Sequence, residues 1–256
     1  MKKALIAAAL AATSSVAQAD FLRLEAGAGI WNSDPGNGTI TYKLGGSRDT
    51  VSASDDLGYS AKNVNYFWLN FKHPLPVIPN IRLEYTDPSY DGTANKSITW
   101  RGLTYGADAY SKLELKQTDL ALYYNLLDNT FWATLDLGLN IKLVNYSYEL
   151  RDNSGVVSPY KDSGTFPIPM LYARTRAQLP FSGLGLEADI KFIGYGDTQV
   201  YDARAKVDYT FEMVPVVQPA IELGYRKQKF KIDQDSEETK TDLDFSGVYA
   251  GVMLRF

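Results

Sequence analysis

Residues 246–256 read Ser246-Gly-Val-Tyr-Ala-Gly-Val-Met-Leu-Arg-Phe256, and the sequence ends there. Counting back by twos from Phe256 gives Leu254, Val252, Ala250 and Val248, all apolar; the other register holds Arg255, Met253, Gly251, Tyr249 and Gly247. Side chains alternate faces along a strand, so this stretch presents one continuously apolar face and one mixed face. A soluble sheet that ended on such a strand would expose a sticky edge. In a closed transmembrane barrel the last strand pairs with the first, and no edge is left.

The pattern Val248, Val252, Leu254, Phe256 resembles the C-terminal signature of Gram-negative outer-membrane β-barrels. The resemblance implies that this strand is also the signal read by the barrel-assembly machinery.

The start of the chain is consistent with export. Met-Lys-Lys precedes an apolar run over 4–12, and Ala17-Gln-Ala19 supplies small residues at a cleavage position. The pattern predicts a signal peptide over 1–19, cut after Ala19, and a single mature domain over 20–256. A helical anchor would need roughly 20 apolar residues. Without Lys2 and Lys3 the mature chain has 24 basic and 30 acidic residues, a net charge of −6, which argues against nucleic acid as a partner. There is no cysteine, so no disulfide framework holds the fold. The 18 Tyr, 11 Phe and 4 Trp suit the aromatic girdles of a membrane barrel.

Dyad alternation recurs in ten segments: near 21–31, 63–73, 80–87, 112–126, 131–143, 166–179, 184–192, 201–211, 221–226 and 246–256. The fifth is the clearest, with Phe131, Ala133, Leu135, Leu137, Leu139, Ile141 and Leu143 alternating with Trp132, Thr134, Asp136, Gly138, Asn140 and Lys142. Short connections are expected at His73–Pro79, Asp128-Asn129, Pro180–Gly183 and Val214–Pro219. Longer ones cover 32–62, 88–110, 148–165 and 230–243, with a brief Gly194–Asp197 loop; Ser97–Trp100 could extend a hairpin above the membrane. A β-sandwich also alternates, but it gives neither this long–short rhythm nor uncharged outward faces. The expected fold is all-β: an antiparallel up-and-down transmembrane barrel of about ten strands, with eight and twelve as the neighbouring even counts, and both termini on the short-turn, periplasmic side.

The second register supplies the lumen. Its cations are Arg23, Lys72, Arg82, Lys142, Arg174, Arg176, Lys191, Arg204, Lys206, Arg226 and Arg255. Its anions are Glu25, Glu84, Asp119, Asp136, Glu187, Asp189, Asp202, Asp208 and Glu222. Eleven against nine is close to balance. About eight strands enclose a bore that side chains just fill, whereas open porins need roughly sixteen, so a salt-bridged plug with little free bore is expected. The alternative is a selective pore lined by charge rings.

Catalytic signals are weak. The one histidine, His73, sits beside Pro74 in an expected periplasmic turn, far from the outer rim where a histidine base would be wanted. Asp55-Asp56 and the run Asp233–Glu238 are acidic loop stretches, read as solvated surface, with bound Ca²⁺ or divalent-bridged lipopolysaccharide as the sharper reading. No P-loop, zinc or EF-hand spacing occurs, and Gly27-Ala-Gly29 is a small-residue pair on one strand face. No cofactor or resident metal is expected.

From signal peptide to last strand, the chain resembles the small outer-membrane β-barrel proteins of Gram-negative bacteria. That resemblance implies the outer membrane as location, and outer-membrane lipids, lipopolysaccharide and the assembly machinery as partners. It implies no active site that these residues match. The expectation is a monomeric, non-enzymatic barrel with a structural, adhesive or receptor role through its outer loops. A narrow channel is the alternative and an outer-membrane hydrolase the third reading.

Overall fold

The computed structural model describes residues 22–44, 46–130, 133–211, 217–233 and 239–256. The expected signal peptide, Phe131, Trp132, residues 212–216 and the acidic run 234–238 lie outside them. The described residues form fifteen strands: β1 (Arg23–Ser33), β2 (Thr39–Leu44), β3 (Ser47–Ser52), β4 (Lys62–Lys72), β5 (Asn80–Thr86), β6 (Ser89–Thr93), β7 (Ile98–Trp100), β8 (Leu103–Tyr105), β9 (Tyr110–Thr130), β10 (Ala133–Arg151), β11 (Tyr160–Gln178), β12 (Leu184–Tyr195), β13 (Thr198–Thr210), β14 (Gln218–Ile232) and β15 (Thr239–Arg255).

Ten of them form a closed antiparallel wall. The order is β1-β4-β5-β9-β10-β11-β12-β13-β14-β15, and β15 returns to β1 in register from Glu25↔Arg255 to Trp31↔Tyr249. These are the ten segments of the sequence reading, and the fold is the antiparallel barrel it anticipates. The last strand therefore has no free edge along its lower half, because β1 and β14 take up its backbone groups.

The outer face of the wall is an apolar belt. Phe67, Leu69, Leu83, Leu122, Leu139, Ile141, Leu171, Leu186, Ile190, Ile221, Leu223, Val248, Val252 and Leu254 are all exposed. In water such a surface would be a large liability, whereas in a bilayer it is the solvated face. Above the belt the two faces exchange chemistry without any slip in register. On β10 the outward series Leu139, Ile141, Leu143 is followed by Asn145, while inward Asn140 and Lys142 give way to Val144, Tyr148 and Leu150. On β14 outward Ile221, Leu223 and Tyr225 give way to Lys227, while inward Glu222, Arg226 and Gln228 give way to Phe230.

The stretches expected as outer loops are largely folded. Residues 32–62 hold the β2–β3 hairpin, which adds to the wall through Thr239↔Tyr42 to Asp242↔Thr39. Residues 88–110 hold β6, paired with the upper half of β9, and the separate β7–β8 hairpin. That hairpin turns on Arg101 and Gly102, both at positive φ (53° and 76°), the geometry of a tight two-residue connection. β10 runs up to Arg151, β11 starts at Tyr160, and β14 runs to Ile232, so the loops expected at 148–165 and 230–243 are shorter than the sequence reading gave them. The turn expected at Asp128-Asn129 is also displaced, since the β9–β10 ladder continues to Ala133↔Thr130.

The wall is uneven in height. β11 pairs with β12 only from Leu171↔Phe192 to Gln178↔Gly185, whereas it follows β10 all the way up to Leu150↔Tyr160. Pro167 and Pro169 lie where β12 has departed, which is where a strand tolerates residues without a donor.

Candidate functional site

The interior is the part of the molecule with chemistry to inspect, and it is layered. At the end of the barrel that carries both chain termini, Glu25 of β1 accepts hydrogen bonds from Arg255 (3.0 Å), Arg23 (2.9 Å) and Asn70 (3.2 Å). Asp208 on β13 receives both guanidinium nitrogens of Arg176 (2.6 and 2.8 Å) and one from Arg255 (2.6 Å). Arg23 is half-buried at the rim; the other charged residues of this layer are buried.

One turn of the wall higher, Arg174 joins Glu187 (2.8 Å) to Asp136 (3.2 Å). Lys206 bonds Glu222 (2.7 Å), which also accepts from the Tyr66 hydroxyl (2.8 Å) and the Trp68 indole (3.1 Å). The Trp68 ring lies between two cations, Arg82 at 4.7 Å and Lys206 at 4.8 Å. It fits because Gly27 faces it: a Cβ there would come within 2.4 Å of the indole. The Gly27/Gly29 pair of the sequence is thus a flat floor for large rings at the closing seam.

The third layer is the most heavily linked. Lys142 donates to Asp119 (2.7 Å), Asp202 (3.0 Å) and Gln117 (3.0 Å). Asp202 also accepts from Arg226 (2.9 and 2.6 Å) and Gln228 (2.8 Å). Glu84 receives Lys191, Arg204 and Arg82, and Arg204 forks onto Asp189 (Nη2 at 2.8 Å). Lys142 and Lys191 have no exposed surface. A charge taken this far from water is tolerated only with partners of this quality.

Above it lies an aromatic chamber. Trp31 caps the ionic zone with Arg226 at 5.0 Å over its ring, and Tyr90 stacks on Phe245 at 5.3 Å. At the top Trp100 of β7 sits among Tyr42, Tyr148 and Tyr160, with centroids 6.0–6.3 Å away. The Arg101 guanidinium rests against Tyr42 and Tyr160 and bonds both hydroxyls (3.1 and 3.2 Å). In the outer loop 52–58, Asp56 takes the Ser52 amide (2.8 Å) and the Lys96 ammonium (2.8 Å). Burial alone would raise its carboxyl; Lys96 and Ser52 outweigh that and hold it below the ordinary value. Its neighbour Asp55 accepts from Asn37 (2.6 Å).

Of the residues singled out in the sequence, the structure gathers Glu25, Arg82, Glu84, Asp119, Asp136, Lys142, Arg174, Arg176, Glu187, Asp189, Lys191, Asp202, Arg204, Lys206, Asp208, Glu222 and Arg226 in the interior, all buried. Val248, Val252, Leu254 and Phe256 face outward. The sequence reading did not reach Gln228, which bonds Gln117 and Asp202, nor the chamber. The exchange of faces along β9, β10 and β14 is the signal that would have found it. His73 is tied into the β4–β5 turn by the Leu75 amide (3.2 Å) and the Pro79 carbonyl (3.2 Å), away from every layer described above. Among the described residues no three His, Cys, Asp or Glu side chains gather as a metal site.

No known protein family and no curated protein matches the sequence. Solved structures match along nearly its whole length. The outer membrane protease OmpT of Escherichia coli has a TM-score of 0.52 at 10% identity, covering 95% of this chain and 100% of that one. Neisserial surface protein A (0.34, 11% identity, 92% and 97% coverage) and OprG of Pseudomonas aeruginosa (0.37, 12% identity, 92% and 96%) also match. At 10% identity the likeness to OmpT is one of fold, that of an outer-membrane β-barrel.

Proposed function

We propose that this chain is a non-enzymatic, non-conducting protein of the bacterial outer membrane that acts through its extracellular surface, in a structural, adhesive or receptor role. One observation supports the reading above others: the bore is filled twice, by a paired ionic zone within the apolar belt and by an aromatic chamber above it. A conducting path would need water-lined space through both. In this reading the chain is exported with cleavage after Ala19, and its last strand is presented to the assembly machinery.

The likeness to a protease does not alter the reading. It is a likeness of fold, and function resides in sites rather than folds. The test is planar-bilayer recording on the detergent-extracted protein. Silence is expected from preparations whose unboiled band migrates apart from the boiled one. Steady unit conductance that changes its ion selectivity in Arg174→Ala/Arg176→Ala would replace this proposal with the channel.

A further inference from the structure

Of the described strands, β7 and β8 alone belong to no ladder of the wall. Their hairpin has two unlike faces. Ile98, Trp100 and Tyr105 are buried in the chamber, while Thr99, Leu103 and Thr104 are exposed. The root is pinned, with the Ala94 amide donating to the Ala109 carbonyl (2.8 Å). Above the root, the hairpin is held to the rim by single contacts. Asp49 takes the Gly102 amide (2.9 Å), Asp152 takes the Gly106 amide (3.1 Å), and the Tyr105 hydroxyl donates to the Ser158 carbonyl (3.4 Å). No backbone ladder has to break for the hairpin to lift.

Two features of the tip do not serve the hairpin itself. A two-residue turn with both φ values positive favours Asn, Asp or Gly at its first position, and here that position is Arg101. Its side chain gains nothing from this backbone, but the guanidinium lies over Tyr42 (4.5 Å) and Tyr160 (5.3 Å) and donates to both hydroxyls. An unfavourable backbone conformation held in place by a contact points to a working position. The second feature is the Trp100 indole N–H. It is buried inside the tyrosine cage and has no hydrogen-bond partner among the described residues. A buried donor left unmet is uncommon. The tip matches the cage in shape and in charge, but not in hydrogen bonding.

Resting on the receptor reading, we infer that the cage of Tyr42, Tyr148 and Tyr160 is a recognition site for a peptide turn of a partner protein that carries an aromatic ring beside a guanidinium, and that the β7–β8 hairpin is its resident occupant, displaced when the partner docks. The seated tip shows what the cage takes: a flat ring among three tyrosines, and a cation across two of them. Hairpin and partner compete for one place. Loosening the hairpin must therefore strengthen binding, whereas damaging the cage must weaken it.

The probe is a labelled, head-to-tail cyclised peptide of residues 96–107, and the readout is its fluorescence anisotropy with the full detergent-solubilised protein. Each preparation is first shown to give the heat-dependent gel shift. The parent should bind weakly, because its own hairpin fills the cage. Arg101→Ala removes two guanidinium–ring contacts from the hairpin and should tighten binding about ten-fold. Replacing residues 97–106 by a Gly-Ser linker should tighten it about 100-fold or more, the scale of one buried tryptophan. In that protein Tyr42→Ala/Tyr160→Ala should weaken binding about ten-fold, and so should Arg101→Ala in the peptide. Binding by Arg101→Ala no tighter than the parent's overturns the site, and so does equal binding of a peptide carrying Trp100→Ala. If the linker protein gives no gel shift, Arg101→Ala decides alone. Dimers of the parent in native mass spectra that the linker abolishes would make a second copy the occupant and overturn the partner. Steady conductance of the parent counts against the receptor reading; silence with no tightening in Arg101→Ala counts against the site alone.

Discussion

Asp202 and Trp100 lie in one tube and are buried alike, 1% and 3% exposed, yet their surroundings share almost nothing. Asp202 is held by Lys142, Arg226 and Gln228. Trp100 is held by three tyrosine rings. The difference follows from what lies outside the wall. Within the belt the apolar face is turned to lipid, and the interior is left to polar groups, which are stable only when fully paired. Above the belt the outer face meets water, so the apolar face has to turn inward, and the hydrophobic effect packs the β2–β3 and β7–β8 hairpins into the mouth.

Cutting the ionic zone should do the greater damage. Asp202→Ala leaves Lys142 and Arg226 buried without their shared carboxylate, a loss of about 3–5 kcal/mol. The temperature at which the unboiled gel band disappears should fall sharply. A band as heat-resistant as the parent's would mean that the zone is far wetter than its geometry implies.

Trp100→Ala attacks the chamber. Truncating a buried tryptophan costs about 3 kcal/mol or more. Here the cost should fall on the cap alone, because β7 and β8 pair with each other and with no wall strand. Limited proteolysis should cut near 95–105 in the variant while the gel shift stays near that of the parent. Loss of both together would show that the two zones melt as one.

The wall was legible in the sequence to an instructive degree. Period-two alternation anchored by turns places ten strands, because Leu137, Leu139 and Ile141 must face lipid and Asp136 and Lys142 must not. The upper tier was not legible. β7 and β8 have three residues each, too short to show a period, and the β2–β3 hairpin is anchored through β2 to a strand some two hundred residues away. The charged list placed side chains on a face but could not pair them. That Lys142 reaches Asp119 and Asp202 depends on which strands are neighbours and at what stagger.

The smallest effect belongs to the outer loop and is set by acid. Because the folded Asp56 carboxyl is held below its ordinary value, its contribution is present above the unfolded carboxylate pKa near 4 and is lost as pH falls through the lower folded value. Hydrogen exchange of the Ser52 amide should quicken below about pH 4 relative to the barrel strands. Asp56→Asn should abolish that extra acid sensitivity. An amide whose protection is unchanged down to pH 2 would disconnect the loop from this carboxylate.

β15 has three strand partners, β14, β1 and β2, and two of them come from the first fifth of the chain. Closing a loop of well over two hundred residues costs on the order of 5 kcal/mol in chain entropy before the seam returns anything. None of that cost is returned until β15 itself is in place, because both ladders that tie the early strands to the late ones run along it.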